Sequence, residues 1–404
     1  MRSVDVVVVG AGPAGAAAAI SLARGGRSVV VLDKAVFPRD KICGDGLTTG
    51  ALRLLEALGL HPADVRSWQA VDDVVVRSPS GRSATFPLPR DRGVYAAVAR
   101  RMDLDAALVD VVRATGTEVL DGHALTTVET RDDHLVVDAE GVEPLAARYV
   151  VGADGMWSPL RKALGLQTPG YLGEWHAFRQ YFVNTGPAAR DLHVWFEPDL
   201  LPGYAWCFPL PGGAANVGFG ITRGGAIRTR EMKARWPELL ARPHVRAVLG
   251  PDARVEGPHR AWPIPARVGA VQLAAHRALF VGDAATATDP MTGEGIGQAL
   301  VTGVLAAESI AHAGALDPVR ASRLYELGVR RALVPDHRLS LALMGALARP
   351  TVARGAVRVA GATDWTRRNF ARWLFEDYAR AVLVTPRRWH RGMFGAPGAY
   401  RDAA

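Results

Sequence analysis

The sequence predicts an α/β protein built on a parallel central sheet, with an inserted, mainly antiparallel β-sheet unit and a helical C-terminal region. Three observations carry this expectation. The chain opens with a strand, a glycine-rich turn, a helix and a second strand; the same style returns at "ALFVGDAATATDP"; and residues 171–267 between them are rich in aromatic strand candidates. The expected division gives residues 1–70, 96–170 and 268–330 to the parallel-sheet domain, 71–95 and 171–267 to the inserted domain, and 331–404 to the helical region.

In chain order, "VDVVVVG" is a β-branched run of the kind buried on both faces of a sheet, and "PAGAAAAISLARGG" reads as a helix closed by Gly25 and Gly26. "SVVVLD" is a second parallel strand that ends on Asp33, and "ALRLLEALGL" begins a helix. "VDDVVVRSPSGRSATFPL" reads as a hairpin turning near Gly81, and "RRMDLDAALVDVVRATG" as a helix with Gly116 at its end. Short strands follow in "TEVLDG", "ALTTVET", "HLVVDA" and "RYVVGADG". The inserted unit has strand candidates in "WHAFRQYFVN", "DLHVWFEPD" and "YAWCFPLPGGAANVGFGI", and one helix candidate in "REMKARWPELLARP". After "GIGQALVTGVLAAESIAHAG" the chain is mainly helical, broken by Pro335, Pro350 and Pro386.

Composition excludes several classes. At 404 residues and half hydrophobic, the chain is long enough for more than one core. The net charge of +8 comes from scattered arginines, the only lysines being Lys34, Lys41, Lys162 and Lys233, so a nucleic-acid surface is not expected. Cys43 and Cys207 alone argue against a disulfide scaffold and for a reducing, cytoplasmic setting; no metal site and no serine-hydrolase elbow is predicted. Arg2 and the apolar run after it imitate a secretory leader, but the glycine pattern inside the run favours a βαβ unit. Membrane contact is expected to be at most peripheral.

"GAGPAG" places Gly10, Gly12 and Gly15 in GxGxxG spacing between a strand and a helix, with Pro13 and Ala14 at the helix start. Glycines here permit the tight turn and the approach of a pyrophosphate to helix N–H groups, giving a Rossmann-like dinucleotide site. Asp33, followed by Lys34, arrives where a carboxylate binds ribose hydroxyls. The motif alone does not separate NAD from FAD.

Two later stretches, "GADGMWSPLRKALG" and "FVGDAATATDPMTGEGIGQAL", resemble motifs of the FAD-dependent glutathione-reductase-like and aromatic-hydroxylase-like superfamily, as does "VARRMDLDAAL". The resemblance assigns Arg101 to the adenosine half of FAD. It aligns Asp154, Gly155, Ser158 and Arg161 with a D-G-x-x-S-x-x-R motif, and Gly282 and Asp283 with a G-D motif that binds the ribityl or ribose region. Pro290, Gly293, Gly295 and Ile296 fall in its flavin-flanking loop. For Asp154 and Arg161 a local helix start with an ion pair is the competing reading.

Within that superfamily, "FPRDKICGDGLTTGAL" and "YAWCFPLPGGAANVGFGI" resemble the geranylgeranyl reductase family, which carries K-x-C-G-x-G-L, then Y-x-W-x-F-P followed by N-V-G. The matching residues are Lys41, Cys43, Gly44, Gly46 and Leu47, then Tyr204, Trp206, Phe208, Pro209, Asn216, Val217 and Gly218. Asp33 departs from the Glu of many relatives. The resemblance implies FAD-dependent reduction of isolated carbon–carbon double bonds in prenyl chains, with NAD(P)H or a ferredoxin as electron donor. It places Cys43 and Gly44 beside the flavin, and Tyr204, Trp206, Phe208 and Asn216 along the substrate. Cys43, Tyr204 and Trp206 are the catalytic candidates, and the sequence names no proton donor.

Competing readings stand beside each. Tyr204, Trp206 and Phe208 alternate along a strand and share a face, which serves a channel wall or ordinary core packing equally. Cys43 serves equally as apolar filler. A stripe from Phe370 to Val382 with interspersed arginines reads as a helix docked on the body, or as an interfacial helix for lipid substrates. The alternative functions are an FAD-dependent monooxygenase of aromatic or polyketide-like substrates, a halogenase being disfavoured by the missing W-x-W-x-I-P, and a flavin-binding module without turnover.

Overall fold

The computed structural model describes residues 1–392 and 394–401; the expectations for Met393 and Asp402–Ala404 within the C-terminal region lie outside the described residues. Five parallel strands form the heart of the first sheet, in the order Ala278–Phe280, Leu145–Gly152, Arg2–Val9, Val29–Asp33 and Glu118–Asp121. Leu135–Ala139 and Leu125–Thr130 extend it in antiparallel fashion from Leu145–Gly152. Val6, Val7 and Val8 are wholly buried, as a strand covered on both faces must be. The register sets Val9 beside both Leu32 and Gly152, and Gly152 beside Phe280. Four strands therefore release their C-terminal ends along one edge, where open α/β sheets bind ligands. The helices Pro13–Arg24 and Ile296–Ala313 begin at that edge and pack on each other.

The second sheet has seven strands: Arg254–Ile264, Trp175–Val183, Ala214–Thr222, Tyr204–Leu210, Leu192–Trp195, Asp73–Arg77 and Ser83–Pro87. All neighbours are antiparallel except Leu192–Trp195 with Asp73–Arg77. Alternation splits its two faces. Ala205, Cys207 and Phe219 pack against Trp236 and Leu239 of the Met232–Leu240 helix, while Tyr204, Trp206 and Phe208 point the other way. The eleven-residue strand Arg254–Ile264 was not anticipated individually. Its Pro258 and Pro263 hide it from a strand pattern, yet as the edge of the sheet it tolerates them.

Among the described residues four α-helices follow, Pro318–Ala332, Val334–Leu347, Pro350–Ala360 and Asp364–Leu374, and then the short 3-10 turns Arg380–Val384 and Pro386–Arg388. The expected stripe through Val382 is corrected. The last helix ends at Leu374, because Glu376 takes φ +53°, and its apolar side turns inward, with Phe370 at 4.8 Å from the Phe86 ring. No helix among the described residues is long and apolar enough to cross a membrane.

Candidate active site

A cavity of about 1480 Å³ begins at the C-terminal edge of the parallel sheet and runs to the aromatic face of the second sheet. Its first wall is the Gly10–Gly15 turn. Gly10 has φ +103°, and a Cβ there would lie 2.3 Å from the Ala153 carbonyl oxygen; a Cβ on Gly15 would lie 1.8 Å from the Gly10 oxygen. Gly15 thus lets the helix start beneath the turn, whereas Gly10, Gly12, Pro13 and Ala14 face the cavity. The Asp33 carboxylate accepts N–H bonds from Ala11 (2.7 Å) and Ala35 (2.9 Å), and with Lys34 it lines the cavity. Each Asp33 oxygen has a second lone pair for a sugar hydroxyl.

Beside this turn the charges do not cancel. Arg101 makes a two-pronged bond to buried Asp105 (2.8 and 2.7 Å), and Arg39 reaches the same carboxylate at 3.0 Å. Two guanidiniums against one carboxylate, beside a helix N-terminus, leave net positive charge for an anion. Neither Arg39 nor Asp105 was singled out from sequence, although Asp105 stands at i+4 from Arg101, the helical ion-pair spacing.

Asp154 accepts bonds from the Ser158 hydroxyl (2.7 Å) and the Leu160 N–H (2.8 Å); burial outweighs these and pushes its pKa up to about 6. Arg161 makes no ion pair with Asp154. It donates instead to the Ala284 and Gln272 carbonyls and lies over Phe280, pinning the Gly282–Ala285 turn to the sheet. Gly282 and Asp283 of that turn face the cavity, and Lys41 Nζ stands 3.8 Å from Asp283. In the loop beyond, Gly293, Gly295 and Ile296 line the cavity, whereas Pro290 is buried behind it. Asp289 anchors this loop: it accepts from the Met291 and Thr292 N–H groups, the Thr292 hydroxyl and Ser340, and Arg380 lies 3.0 Å away. Burial alone would raise the Asp289 pKa, but Arg380 and these donors hold it below the usual carboxylate range. Glu294 lines the cavity and accepts the Gly297 N–H (2.7 Å); burial and the nearby Glu376 push it up to about 8.

Every residue of the segment Lys41–Leu47 lines the cavity. Asp45, at φ +67° and fully buried, is its fastening. It accepts from the Tyr181 hydroxyl (2.6 Å), from Asn216 Nδ2 (2.8 Å) and from the Arg101 N–H (3.3 Å). Burial still wins over these donors and pushes its pKa up to about 6. Asn216 Nδ2 also donates to the Cys43 carbonyl (2.9 Å), and Asn216 Oδ1 accepts from Trp206 Nε1 (3.0 Å). Asn216 is therefore not on the cavity wall, as expected from sequence, but wholly buried behind it, buckling the Cys43 segment to the aromatic strand. Asp45 and Tyr181 carried no sequence signal, since their pairing spans 136 residues.

Cys43 and Gly44 line the cavity; burial raises the Cys43 thiol above its ordinary pKa, so it holds its proton. Tyr204, Trp206 and Phe208 line it too, with neighbouring ring centroids 6.0 Å apart. The Tyr204 hydroxyl donates to the Thr292 carbonyl, tying this face to the 289–297 loop. Beside Phe208 the lining is mainly apolar, from Leu192, Val194, Phe196, Val357, Phe370 and Leu374, with Thr366 and Asn369 as polar members on the last helix.

The family model for the FAD binding domain matches residues 3–313. The chain is 36% identical over 339 residues to a menaquinone reductase of Mycobacterium tuberculosis, covering 76% of each. To digeranylgeranylglycerophospholipid reductase 1 of Methanopyrus kandleri it is 32% identical over 338 residues, 79% of this chain and 84% of that one. The protein belongs to the geranylgeranyl reductase family of FAD-dependent oxidoreductases.

Among solved structures, a geranylgeranyl bacteriochlorophyll reductase-like protein from Thermoplasma acidophilum superposes with a TM-score of 0.80 at 20% identity, over 95% of this chain and 98% of that one. Halogenase PltM, solved with FAD in a mutant form, gives 0.70 at 18% identity, over 93% and 83%. These likenesses show the fold. The geranylgeranyl reductase family chain fits FAD on its own terms. A glycine turn at a helix start, two arginines short of one counter-charge, and a ribose-ready Asp33 suit an adenosine diphosphate, and the Gly293–Ile296 turn opens a second helix N-terminus farther along the cavity.

Proposed function

We propose that the protein reduces isolated carbon–carbon double bonds of a prenyl chain or a similar hydrophobic substrate. The observation that carries this reading is the continuity of the cavity: one space joins the dinucleotide end, the Cys43 segment and a long apolar arm. When bound, reduced FAD supplies a hydride to one alkene carbon. The chain's own residues do the rest. Tyr204, Trp206 and Phe208 hold the chain flat against the Cys43 segment, and the apolar arm excludes water, so orientation contributes much of the acceleration of an unpolarised reaction. The second alkene carbon needs a proton. Tyr204 commits its hydroxyl proton to Thr292; the Cys43 thiol, the Lys41 ammonium and the Glu294 carboxyl are proton-bearing groups that face the cavity.

The names of the curated relatives, a menaquinone reductase and a digeranylgeranylglycerophospholipid reductase, support a substrate with a polyprenyl chain. We place the electron donor outside the chain, as NAD(P)H or a ferredoxin, and the protein in the cytoplasm with peripheral membrane contact. The test is anaerobic reduction of the FAD-loaded protein by each donor, followed by prenylated quinones or lipids and mass analysis of the product. A gain of two hydrogens is expected. Substrate-dependent oxygen uptake with oxygen incorporated in the product overturns the reading in favour of a monooxygenase; tight FAD that no donor reduces favours a binding module.

A further inference from the structure

The apolar arm reaches the surface among the C-terminal helices. Val359 and Trp365 line the cavity and are nonetheless 67% and 68% exposed, so the mouth lies between the Pro350–Ala360 and Asp364–Leu374 helices. Around it, Leu341 and Val352 are also exposed apolar side chains. On Pro350–Ala360, Val352, Ala356 and Val359 fall at i, i+4 and i+7, an outward apolar stripe, while Ala353, Val357 and Ala360 turn inward. The charge around the mouth is mainly positive: between Asp336 and Asp364 the chain has no Asp or Glu and carries Arg338, Arg349, Arg354 and Arg358, and the exposed Asp364 beside Trp365 is set against Arg367 at 4.0 Å. All four arginines are exposed, and among the described residues none makes an ion pair.

We propose that this face seats the protein on an anionic lipid bilayer, with the mouth of the apolar arm opening into the hydrocarbon. The inference rests on the prenyl-chain reading and specifies where such a substrate enters. Arginine stems lie along apolar surface while their heads reach lipid phosphates, and the valines and Trp365 sit below them. Every CH₂ drawn through water is exposed at a cost, so a polyprenyl chain passes from bilayer to cavity only where the two apolar phases meet. A second copy of the chain is the poorer occupant, because a symmetric contact on this face opposes arginines with arginines and offers no carboxylate from the same segment.

The test uses the full FAD-loaded chain, with vesicles of phosphatidylcholine alone or mixed with phosphatidylglycerol. Co-sedimentation with the anionic vesicles is expected, weakened by salt and at least tenfold weaker for Arg354→Glu/Arg358→Glu and for Leu341→Glu/Val352→Glu. These four side chains lie off the cavity wall, so both variants are expected to keep FAD and to turn over a short, water-soluble prenyl substrate as the wild type does, while losing vesicle-borne long chains. Wild-type protein that binds neither vesicle, or variants that bind as tightly as it does, overturns the proposal. So does a wild-type dimer that the variants dissociate, which assigns the face to a second copy. Vesicle binding without alkene reduction sinks the reductase reading and leaves this surface standing; reduction without vesicle binding does the reverse.

Discussion

Replacing Asn216 by Leu tests whether the Cys43 segment is held from behind. The side chains are nearly the same size, so the perturbation is the loss of three hydrogen bonds: to the Cys43 carbonyl, to Asp45 and from Trp206 Nε1. Asp45 keeps Tyr181, but the Cys43 carbonyl and the Trp206 N–H are left without these partners in a buried setting. Two such orphans cost about 4 kcal/mol together. With an unfolding entropy of roughly 2.1 cal/mol/K per residue over 404 residues, that is a fall in Tm of about 5 °C. The loosened segment also borders the cofactor end of the cavity, so bound flavin falls with it. The assay is thermal unfolding of the FAD-loaded protein, with flavin content after gel filtration and KM for the substrate. An unchanged Tm and flavin content together with a raised KM refutes the argument, and returns Asn216 to the substrate-lining role expected from its motif.

Three further outcomes follow from the same geometry. Asp45 has a folded pKa of about 6 against 3.8 unexposed to the fold, so its stabilising contribution is complete below pH 3.8 and is lost as pH rises through 6; Asp45→Asn flattens Tm against pH across that interval. Glu294 at about 8 holds a proton at neutral pH; if that proton reaches the substrate, kcat falls above pH 8, and Glu294→Gln loses this limb and about a hundredfold in kcat with KM held, since the amide oxygen still accepts the Gly297 N–H. A Glu294→Gln enzyme with wild-type kcat makes Glu294 a helix cap alone. Cys43→Ser is expected to retain FAD and to change alkene turnover or the product pattern; unchanged kinetics leave Cys43 as filler.

The parallel sheet was legible because its code is local. "VDVVVVGAGPAG" and "SVVVLD" contain their own strand, turn and helix chemistry, and they fold as read into Arg2–Val9, Pro13–Arg24 and Val29–Asp33. The cavity-facing residues of the glycine turn lie in a motif whose spacing is equally local, and Asp283 and the 293–296 turn were legible through the resemblance of their stretch to the FAD-dependent motifs. What escaped is long-range. Arg39 meets Asp105, Tyr181 meets Asp45, and Arg380 meets Asp289 across 66, 136 and 91 positions, and no periodicity records such meetings. The Arg254–Ile264 strand escaped for a different reason: prolines and charges suit an edge, and an edge looks like a loop until its neighbour is known.

The Asn216 placement shows how a motif conceals its own logic. "YAWCFPL" and "NVGFG" lie on adjacent antiparallel strands, and the register sets Phe208 beside Asn216 and Trp206 beside Gly218. A Cβ at Gly218 would stand 2.4 Å from the Trp206 ring, so the glycine opens the space into which the indole settles. From there Trp206 Nε1 reaches Asn216, and Asn216 reaches Asp45 and Cys43. Residues that read in sequence as one substrate-domain motif form a connection between the aromatic wall and the Cys43 segment. A substitution anywhere along it should therefore move flavin retention and substrate binding together. Independent responses of the two at Trp206, Gly218 and Asn216 would dissolve the connection into ordinary sheet packing.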